Sequence, residues 1–426
     1  MATLKEKLAS LIPALREESG ALVKQHGEKV ISQVTVGQAF GGLRGVNGMI
    51  CDTSSVDPEK GLIIRDHPIA EIADRLPEEI WYLLLTGELP DAGALKALQA
   101  DLAAHSEVPP YVREVLRAMP RDSHPMAMLS VGVLAMQRES LYHKHYEGGM
   151  KKTEYWEWMY EDSLRLVARV TGVAALVYRL RFGKGDLIPP KPGLDWAANY
   201  AHMLGIADPT GEFANFMRLY TTLHSDHEGG NVSAYACHVV GSALSDAYYA
   251  ATAGWNGLAG PLHGLANQEC LHFVLDIHKK YSGVPSDEEL KKFTWDRLNS
   301  GQVVPGYGHA VLRAIDPRFV CFHSFGERVC PQDEVFRIVD RLYRIVPGVL
   351  KEHGKAKNPW PNVDAGSGAL LYHFGMTEFS YYTVLFAVSR ALGMTAQLTL
   401  NRALGSPITR PNSVTTAEIK AMIAKG

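Results

Sequence analysis

Three histidines and one aspartate stand in glycine- and proline-rich segments of a chain that otherwise has helical periodicity. They are His227, His263, His309 and Asp364. Glycine and proline favour the ends of helices over their buried stripes, so these side chains are predicted to lie at helix mouths. Imidazole and carboxylate groups placed there can move protons or polarise a carbonyl. We predict that all four line one pocket.

The His263 segment is the most suggestive of chemistry. Gly260 and Pro261 predict a helix over 261–280, with His263 in its first turn. The unpaired N–H groups of a first turn disfavour an imidazolium. A neutral ring would offer one N–H to a developing oxyanion. The alternative, a cap histidine bonded to local backbone, stays open.

His309 follows Gly306 and Gly308, which let the backbone approach a ligand closely, and a short helix is predicted over 310–314. The glycines lack the third glycine and the preceding strand of a dinucleotide fingerprint, which excludes a Rossmann site. Asp364 has two interpretations. It is either the N-cap of the following helix or a general base whose proton affinity rises in a dry site.

Arginines form another group of candidates. Arg390 lies in the largely apolar run 383–392, and a buried guanidinium requires an anionic partner. Arg318 and Arg410 stand in loops, where a surface salt bridge is the common alternative.

His224 and His227 allow a metal-binding interpretation. The run from His227 to Asn231 resembles the zinc-protease helix pattern until its last position, where asparagine replaces the second histidine. No third ligand is apparent, so we expect no metal. The patterns of a nucleophile elbow and of a P-loop are absent, which gives no support to acyl-serine or phosphoryl-transfer chemistry.

The elements that must position these side chains are helices. The 426 residues suggest two or three domain-sized units, and 46% apolar with 21% charged residues is typical of a globular protein. Two short β-like runs, 30–36 and 48–64, precede a chain that has helical spacing almost throughout. Without strand–helix alternation, a Rossmann or barrel layout is excluded. We predict an all-α, mainly helical fold with a small β element near the N-terminus.

Charge and cysteine content indicate which binding partners and which cellular compartment to expect. A net charge of −3 argues against nucleic acid or a membrane as the main partner. Five cysteines without C-x-x-C spacing are interpreted as free thiols in a reducing compartment. Acidic and basic residues mix between Lys5 and Glu18, unlike a targeting peptide. This pattern fits a prokaryotic cytoplasmic protein or a mature mitochondrial matrix form.

With these residues placed, the chain resembles citrate synthases of the long type found in mitochondria, over essentially its whole length. The resemblance lies in Leu223-His-Ser-Asp-His-Glu-Gly-Gly-Asn-Val-Ser233, Asn256-Gly-Leu-Ala-Gly-Pro-Leu-His-Gly-Leu-Ala-Asn-Gln-Glu269, Val303-Val-Pro-Gly-Tyr-Gly-His-Ala-Val-Leu-Arg313, Gly354-Lys-Ala-Lys-Asn-Pro-Trp-Pro-Asn-Val-Asp364 and the run from Tyr381 to Gly393. It implies an almost all-helical homodimer. A large domain, 1–264 with 376–426, would be closed over the substrates by a small inserted domain, 265–375.

The resemblance also implies a role for each candidate. Asp364 would take a methyl proton from acetyl-CoA, while His263 hydrogen-bonds the thioester oxygen of the forming enol or enolate. His309 would polarise the carbonyl of oxaloacetate. The oxaloacetate carboxylates would be held by Arg318, Arg390 and Arg410, with His227 assisting, and the arginine at 410 would come from the other subunit. Citryl-CoA would then be hydrolysed to citrate and CoA.

The implied CoA contacts are Val303, Val304, Gly306 and Gly308 of the 303–308 loop, together with Arg44 and Arg313. Where relatives have one basic residue before a Tyr-Trp-Glu run, this chain has Lys151 and Lys152 with an apparent insertion, and the choice between them stays open. Gly366 stands where the mitochondrial relatives have histidine. Acetyl-CoA is a co-substrate, and no other cofactor is implied.

Three alternatives stay open at this point. A 2-methylcitrate synthase would use propionyl-CoA and share every residue named above. A metal-dependent hydrolase centred on His224 and His227 would lose activity to chelators. A non-catalytic CoA-binding paralogue is disfavoured because every candidate acid, base and clamp residue is present.

Overall fold

The computed structural model describes residues 3–309 and 311–425, and α-helices dominate them. Their bounds are α1 Leu4–His26, α2 Val36–Phe40, α3 Pro77–Thr86, α4 Ala92–Ala104, α5 Pro110–Ala118, α6 Pro125–Ala135, α7 Leu141–Glu147, α8 Tyr155–Arg181, α9 Trp196–Leu204, α10 Glu212–Leu223, α11 Val232–Ser242, α12 Ala247–Leu258, α13 Ala266–Tyr281, α14 Asp287–Asn299, α15 Pro317–Val329, α16 Glu334–His353, α17 Asp364–His373, α18 Tyr382–Leu404 and α19 Thr416–Lys425. Short 3-10 helices lie at Ile69–Glu71, Met136–Glu139, Lys152–Glu154 and Phe379–Tyr381. Met1, Ala2, Ala310 and Gly426, which fall within the predicted domain ranges, lie outside the described residues.

The β element is a three-stranded antiparallel sheet of β1 Ser54–Asp57, β2 Gly61–Ile64 and β3 His67–Pro68. The β1–β2 turn forms because the Asp57 carboxylate accepts from the N–H groups of Glu59 and Lys60, both at 2.8 Å. The predicted fold class is confirmed. The prediction of a second β run at 30–36 was wrong. This segment is largely exposed and pairs with no described strand, so its alternating apolar residues do not pack against a sheet.

Two long helices, α8 and α18, pack along each other at the centre of the protein. Helix α18 is buried on nearly all sides, which is why its sequence is apolar around most of its circumference. The segment Phe379–Leu404 is long and apolar enough to cross a membrane, but it is almost entirely buried inside the protein. Arg390 is therefore carried by a rigid core helix.

Helices α13 to α17 pack chiefly against one another, and α13, α15 and α16 all contact α17. This group falls within the predicted small domain, 265–375, whose boundaries stay a prediction. Because α17 begins at Asp364, the candidate base lies at the N-terminal end of the helix that the others surround.

Candidate active site

Two neighbouring loops carry His309 and Asp364. The segment ending in His309 forms an antiparallel bridge with the segment that precedes Asp364. Gly306 makes this approach possible: its φ is +79°, and a Cβ there would lie 2.9 Å from Ala365. The bridge explains why two side chains from distant parts of the sequence meet.

The tautomer of His309 is set by the backbone. The N–H groups of Val311 and Leu312 both donate to its Nδ1, each at 3.0 Å, so in the neutral ring the proton lies on Nε2. Burial and the nearby Arg318 charge lower the pKa of His309, which favours the neutral ring near pH 7. His309 therefore offers an Nε2–H donor, the group needed to polarise a carbonyl.

The helix predicted over 310–314 does not form in its described part. Residues 311–314 are bends and coil, and Ala310 lies outside the described residues. The Arg313 N–H, which a helix would direct back along its own axis, donates to the Pro58 carbonyl at 2.8 Å instead.

Asp364 is the first residue of α17 and does not cap it. The cap position belongs to Val363, and among the described residues no group donates a hydrogen bond to the Asp364 carboxylate. Burial raises the pKa of this carboxyl to about 6, against the opposing charge of Arg318. An unpaired carboxylate of raised proton affinity has the properties of a general base, so the structure favours this interpretation over the capping one.

His263 lies in a turn between α12 and α13. The helix predicted from 261 begins instead at Ala266, because the turn before it is closed by the Gly264 N–H donating to the Leu258 carbonyl at 3.0 Å. The first-turn potential inferred from the sequence is therefore not what keeps this ring neutral.

Burial and packing keep His263 neutral instead. Burial, aided by the charge of Arg390, lowers the pKa of His263 to about 4. Its Nε2 lies 2.9 Å from the Ser233 hydroxyl and accepts from the Ser233 backbone N–H at 3.4 Å. Since a backbone N–H can only donate, the ring proton lies on Nδ1. His263 therefore has the predicted neutral ring with one N–H donor, but burial and not the field of a helix end is the reason.

Arg390 is 1% exposed and has no ion-pair partner among the described residues. Its Nε donates to the His224 carbonyl at 3.1 Å and its Nη1 to the Asn231 side-chain oxygen at 3.3 Å, while the guanidinium lies over the Phe386 ring. Burial lowers the pKa of Arg390 to about 10, although the charge of Asp226 opposes the shift. Such a cation needs an anionic ligand.

Arg318 is buried as well, but it is paired. Its Nε and Nη2 donate to the Asp316 carboxylate at 3.0 and 2.7 Å, which replaces the surface salt bridge considered from the sequence. Burial alone would raise the pKa of Asp316, but the Arg318 charge and hydrogen bonds outweigh it and lower that pKa. No described residue accepts from Nη1, which leaves this donor available to a ligand.

His227 links these groups in space. Its ring centroid lies 6.0 Å from that of His309. Burial lowers the pKa of His227 well below its ordinary value, and the charges of Arg318 and Arg390 lower it further. Arg390 also lowers the pKa of His263, and Arg318 acts against the rise of the Asp364 pKa. The structure thus brings His227, His263, His309 and Asp364 within electrostatic reach of Arg318 or Arg390.

The other predicted contact residues lie at the surface or beside this cluster. Arg410 is exposed in the C-terminal segment, which is tied to the protein body where Thr409 meets Ser242. Among the predicted CoA residues, Arg44, Arg313 and Val303 are exposed, Gly306 and Gly308 are partly buried and Val304 is buried.

His224 is packed as a core residue. Its Nδ1 lies 2.9 Å from the Tyr220 carbonyl, and burial lowers the pKa of His224 to about 3. Within the described chain, the side chains close enough to share a metal ion are His323, Glu327 and Asp340. Their carboxylates contact opposite ring nitrogens of His323, as expected of an ion-pair network. The metal interpretation of His224 therefore gains no support.

Three polar residues that organise the site were not predicted. Asn231 accepts from Arg390 and caps α11, Asp316 caps α15, and Asn362 joins the two loops. Asp316 before Pro317 and Asn231 before an apolar run are cap signals in the sequence. Such signals predict where helices begin. Only the fold shows that Asn231 and Asp316 also accept hydrogen bonds from Arg390 and Arg318.

Gly366 and Gly368, in α17, form a matched pair for a stability test. A Cβ on Gly366 would meet Phe319 at 3.4 Å, an ordinary contact, whereas one on Gly368 would lie 2.7 Å from Asn267 Oδ1. Since alanine favours a helix over glycine by about 1 kcal/mol, Gly366→Ala is expected to raise the free energy of unfolding and Gly368→Ala to lower it. Urea denaturation measures both, and a destabilised Gly366→Ala would contradict the contact argument.

Comparisons with known proteins agree with one another. The family model described as "Citrate synthase, C-terminal domain" matches residues 42–412. The chain is 47% identical to mitochondrial citrate synthase of Saccharomyces cerevisiae, over 99% of this chain and 90% of that protein, and 48% identical to mitochondrial citrate synthase 4 of Arabidopsis thaliana, over 99% and 91%. Citrate synthase from Pyrobaculum aerophilum gives a TM-score of 0.79 at 30% identity, covering 88% of this chain and 92% of that one. A ternary complex of Thermoplasma acidophilum citrate synthase with carboxymethyl coenzyme A and oxaloacetate gives 0.76 at 25% identity, covering 91% and 100%.

Proposed function

The chain belongs to the citrate synthase family, and we propose that His263, His309 and Asp364 carry out the condensation of acetyl-CoA with oxaloacetate. A C–C bond forms between the acetyl methyl carbon and the ketone carbon, and the citryl-CoA thioester is then hydrolysed to citrate and CoA. One observation supports these roles: His227, His263, His309 and Asp364 are all desolvated, and the charge of Arg318 or Arg390 acts on each of them.

Asp364 removes the methyl proton. An ordinary carboxylate, of pKa about 4, is a poor base for a thioester methyl group, and the rise of the Asp364 pKa to about 6 narrows this mismatch only partly. The enolate oxygen must therefore be stabilised. The Nδ1–H of His263 donates to it, and a preorganised donor of this kind is worth roughly 3–4 kcal/mol.

Oxaloacetate binds with its ketone oxygen toward His309, whose Nε2–H polarises the carbonyl for attack by the enolate carbon. Arg318 and Arg390 hold the carboxylates through paired N–H donors, with His227 beside them. This is supported by the charge of Arg390, which no described ion pair neutralises.

CoA lies along the 303–308 loop, where Val303 is 75% exposed and available to a ligand, and its phosphates meet Arg44 and Arg313. Both Lys151 and Lys152 are exposed, so the choice between them stays open. Since this loop is bridged to the one before Asp364, CoA bound there has its thioester near the base. We expect the small domain, 265–375, to close over the substrates and exclude water.

The rate is expected to fall below about pH 6, because the pKa of Asp364 is raised to about 6 and only the ionised carboxylate accepts a proton. On the acid side kcat/KM for acetyl-CoA should fall about tenfold per pH unit. His263, with a pKa of about 4, stays neutral over most of this range. A pH profile of CoA release measures the midpoint, and a midpoint near the ordinary aspartate pKa would contradict the burial of the base.

The active unit is a homodimer with shared sites. This is supported by Arg410, which is exposed and makes no described contact with Arg318 or Arg390. Large apolar side chains exposed near both ends of the chain would be buried against a partner. They include Leu22, Val23, Val30, Ile31, Phe40, Ile50, Ile408, Met422 and Ile423.

Mixed dimers of two inactive chains are expected to recover activity. When one chain carries Asp364→Asn and the other Arg410→Leu, the mixed dimer has one doubly altered site and one intact site if Arg410 crosses the interface. Random assembly should then restore about a quarter of wild-type CoA release. If Arg410 served its own chain, every site would keep a defect and no recovery would be seen.

The function is tested by CoA release from oxaloacetate with acetyl-CoA or propionyl-CoA, with the product identified by mass spectrometry. We expect citrate and a higher kcat/KM for acetyl-CoA. The 2-methylcitrate alternative is not favoured, because the curated relatives are citrate synthases, but a strong propionyl-CoA preference would reinstate it.

No metal or other cofactor is proposed, so full activity in EDTA is expected. Loss of activity in EDTA that added metal reverses would reinstate the hydrolase alternative at His224 and His227. The substrates are small molecules, and neither nucleic acid nor a membrane is proposed as a partner. The mitochondrial relatives are consistent with the mitochondrial matrix as the location, and in a prokaryote the cytoplasm would take its place.

A further inference from the structure

One asparagine side chain joins the two loops that carry His309 and Asp364. The Asn362 side-chain N–H donates to the Gly308 carbonyl at 3.0 Å, and the side-chain oxygen accepts from the Asp364 backbone N–H at 3.0 Å. The Gly308 carbonyl belongs to the peptide bond that precedes His309. A single amide group therefore connects the peptide of the histidine with the backbone of the aspartate.

We propose that Asn362 is a positioning residue that sets the spacing between His309 and Asp364 for C–C bond formation. This inference rests on the proposed function, because the spacing matters only if both groups act on one pair of substrates. The methyl carbon that Asp364 deprotonates must lie beside the ketone carbon that His309 activates, with the reacting atoms about 3–3.5 Å apart. An amide bonded at both ends resists sliding of one loop past the other.

The other hydrogen bonds between the described parts of the loops do not reach both catalytic residues. The backbone bonds of the bridge run from Gly308 to the Trp360 carbonyl at 2.9 Å and from Asn362 to the Gly306 carbonyl at 2.8 Å. They end before Asp364, whose carboxylate receives no described hydrogen bond. The position of the base therefore depends on its backbone, which the Asn362 side chain holds.

Asn358 is a matched control in the same loop. Its side chain makes the same two kinds of bond, donating to the Leu312 carbonyl at 2.7 Å and accepting from the Trp360 N–H at 2.8 Å, and it is 4% exposed. These bonds are shorter than those of Asn362, yet neither ends at the base or at the peptide of the histidine. Replacing Asn358 therefore loosens the loop but keeps the two Asn362 hydrogen bonds, to the Gly308 carbonyl and from the Asp364 N–H.

The experiment compares Asn362→Ala, Asn362→Asp and Asn358→Ala in the full chain, with kcat and KM from CoA release and stability from the thermal midpoint. Asn362→Ala is expected to lower kcat about 100-fold with KM for oxaloacetate nearly unchanged, because the substrates bind but are misaligned. Asn358→Ala should lower the thermal midpoint at least as much, with a kcat loss of about fivefold or less.

The aspartate variant separates the two halves of the link. Asn362→Asp keeps the acceptor for the Asp364 N–H but places an oxygen, in place of the donor, against the Gly308 carbonyl, so kcat should fall well below that of the wild type. Rates are measured on the alkaline plateau of the pH profile. There Asp364 stays ionised even though the added negative charge of Asn362→Asp raises its pKa. Because aspartate has the same shape as asparagine, this variant tests the positioning role of Asn362 even if Asn362→Ala does not fold.

Two results would overturn the positioning role: equal kcat losses in Asn362→Ala and Asn358→Ala, or a wild-type kcat in Asn362→Asp. A wild-type protein that releases no CoA with oxaloacetate would instead remove the proposed function, which is a distinguishable outcome.

Discussion

Replacing Asp364 with asparagine is expected to lower kcat by about three orders of magnitude. The amide has the shape of the carboxylate but does not accept the methyl proton near neutral pH. No described residue donates a hydrogen bond to this carboxylate, so the substitution breaks no bond. Burial disfavours the ionised carboxyl above about pH 6, as its raised pKa shows. The thermal midpoint should therefore be kept or raised while the rate collapses.

Asp162→Asn is the matched control. Burial raises the pKa of Asp162 to about 7, and its carboxylate accepts from the Ser140 hydroxyl and the Leu141 N–H, away from the pocket. We expect a change in stability with kcat unchanged. If Asp364→Asn kept more than about a tenth of wild-type kcat, another group would have to be the base.

Arg390→Met is expected to raise the KM for oxaloacetate about 100-fold or more, because removing one partner of a buried charge pair costs about 2–5 kcal/mol of binding. Stability should change little. The lowering of the Arg390 pKa to about 10 corresponds to a net cost of about 3 kcal/mol for the buried charge, which methionine removes. Leaving the two neutral acceptors without this donor costs about 1–3 kcal/mol each, so the two effects largely offset each other. Substrate kinetics and thermal unfolding measure both.

Arg402→Met, in the same helix, controls for loss of a buried cation. Arg402 is 2% exposed, donates to the Gly241 and Ser245 carbonyls and lies over the Tyr142 ring, with no described contact to the pocket. Its replacement should leave the KM for oxaloacetate unchanged, whatever it does to stability. Equal rises of KM in both variants would point to a loosened helix and not to a lost ligand charge.

One physical cause prepares the pocket for both halves of the proposed reaction. Burial disfavours charge, so it raises the pKa of Asp364 and lowers those of His263 and His309. Near pH 7 this yields one carboxylate of raised basicity and two neutral rings. The two rings then donate through different nitrogens, because the backbone occupies Nε2 of His263 and Nδ1 of His309.

Much of the fold could be predicted from local sequence patterns, in which the residues involved are close together along the chain. Helical spacing predicted the all-α class, and the apolar run around Arg390 predicted a buried cation in need of an anion. The long unbroken stretches around His227, His263 and His309 identified the family that the comparisons confirm. Local patterns failed where hydrogen bonds to distant segments took the same backbone groups. The helix expected at 261 gives way to a turn whose Gly264 carbonyl accepts from the Thr383 hydroxyl, and the one expected at 310 gives way because the Arg313 N–H donates to the Pro58 carbonyl.

The amino-acid order by itself determined which chemical groups are present and which helices carry them, because helix spacing and capping depend on residues a few positions apart. Only the tertiary structure decided their chemical state: that Asp364 is an acid of raised pKa and not a cap, that Arg318 has Asp316 as its ionic partner while Arg390 has none among the described residues, and that Asn362 ties the two loops together. Proton affinity and tautomer depend on desolvation and on neighbours in space. Those neighbours come from segments far apart in the chain, which no local pattern can bring together.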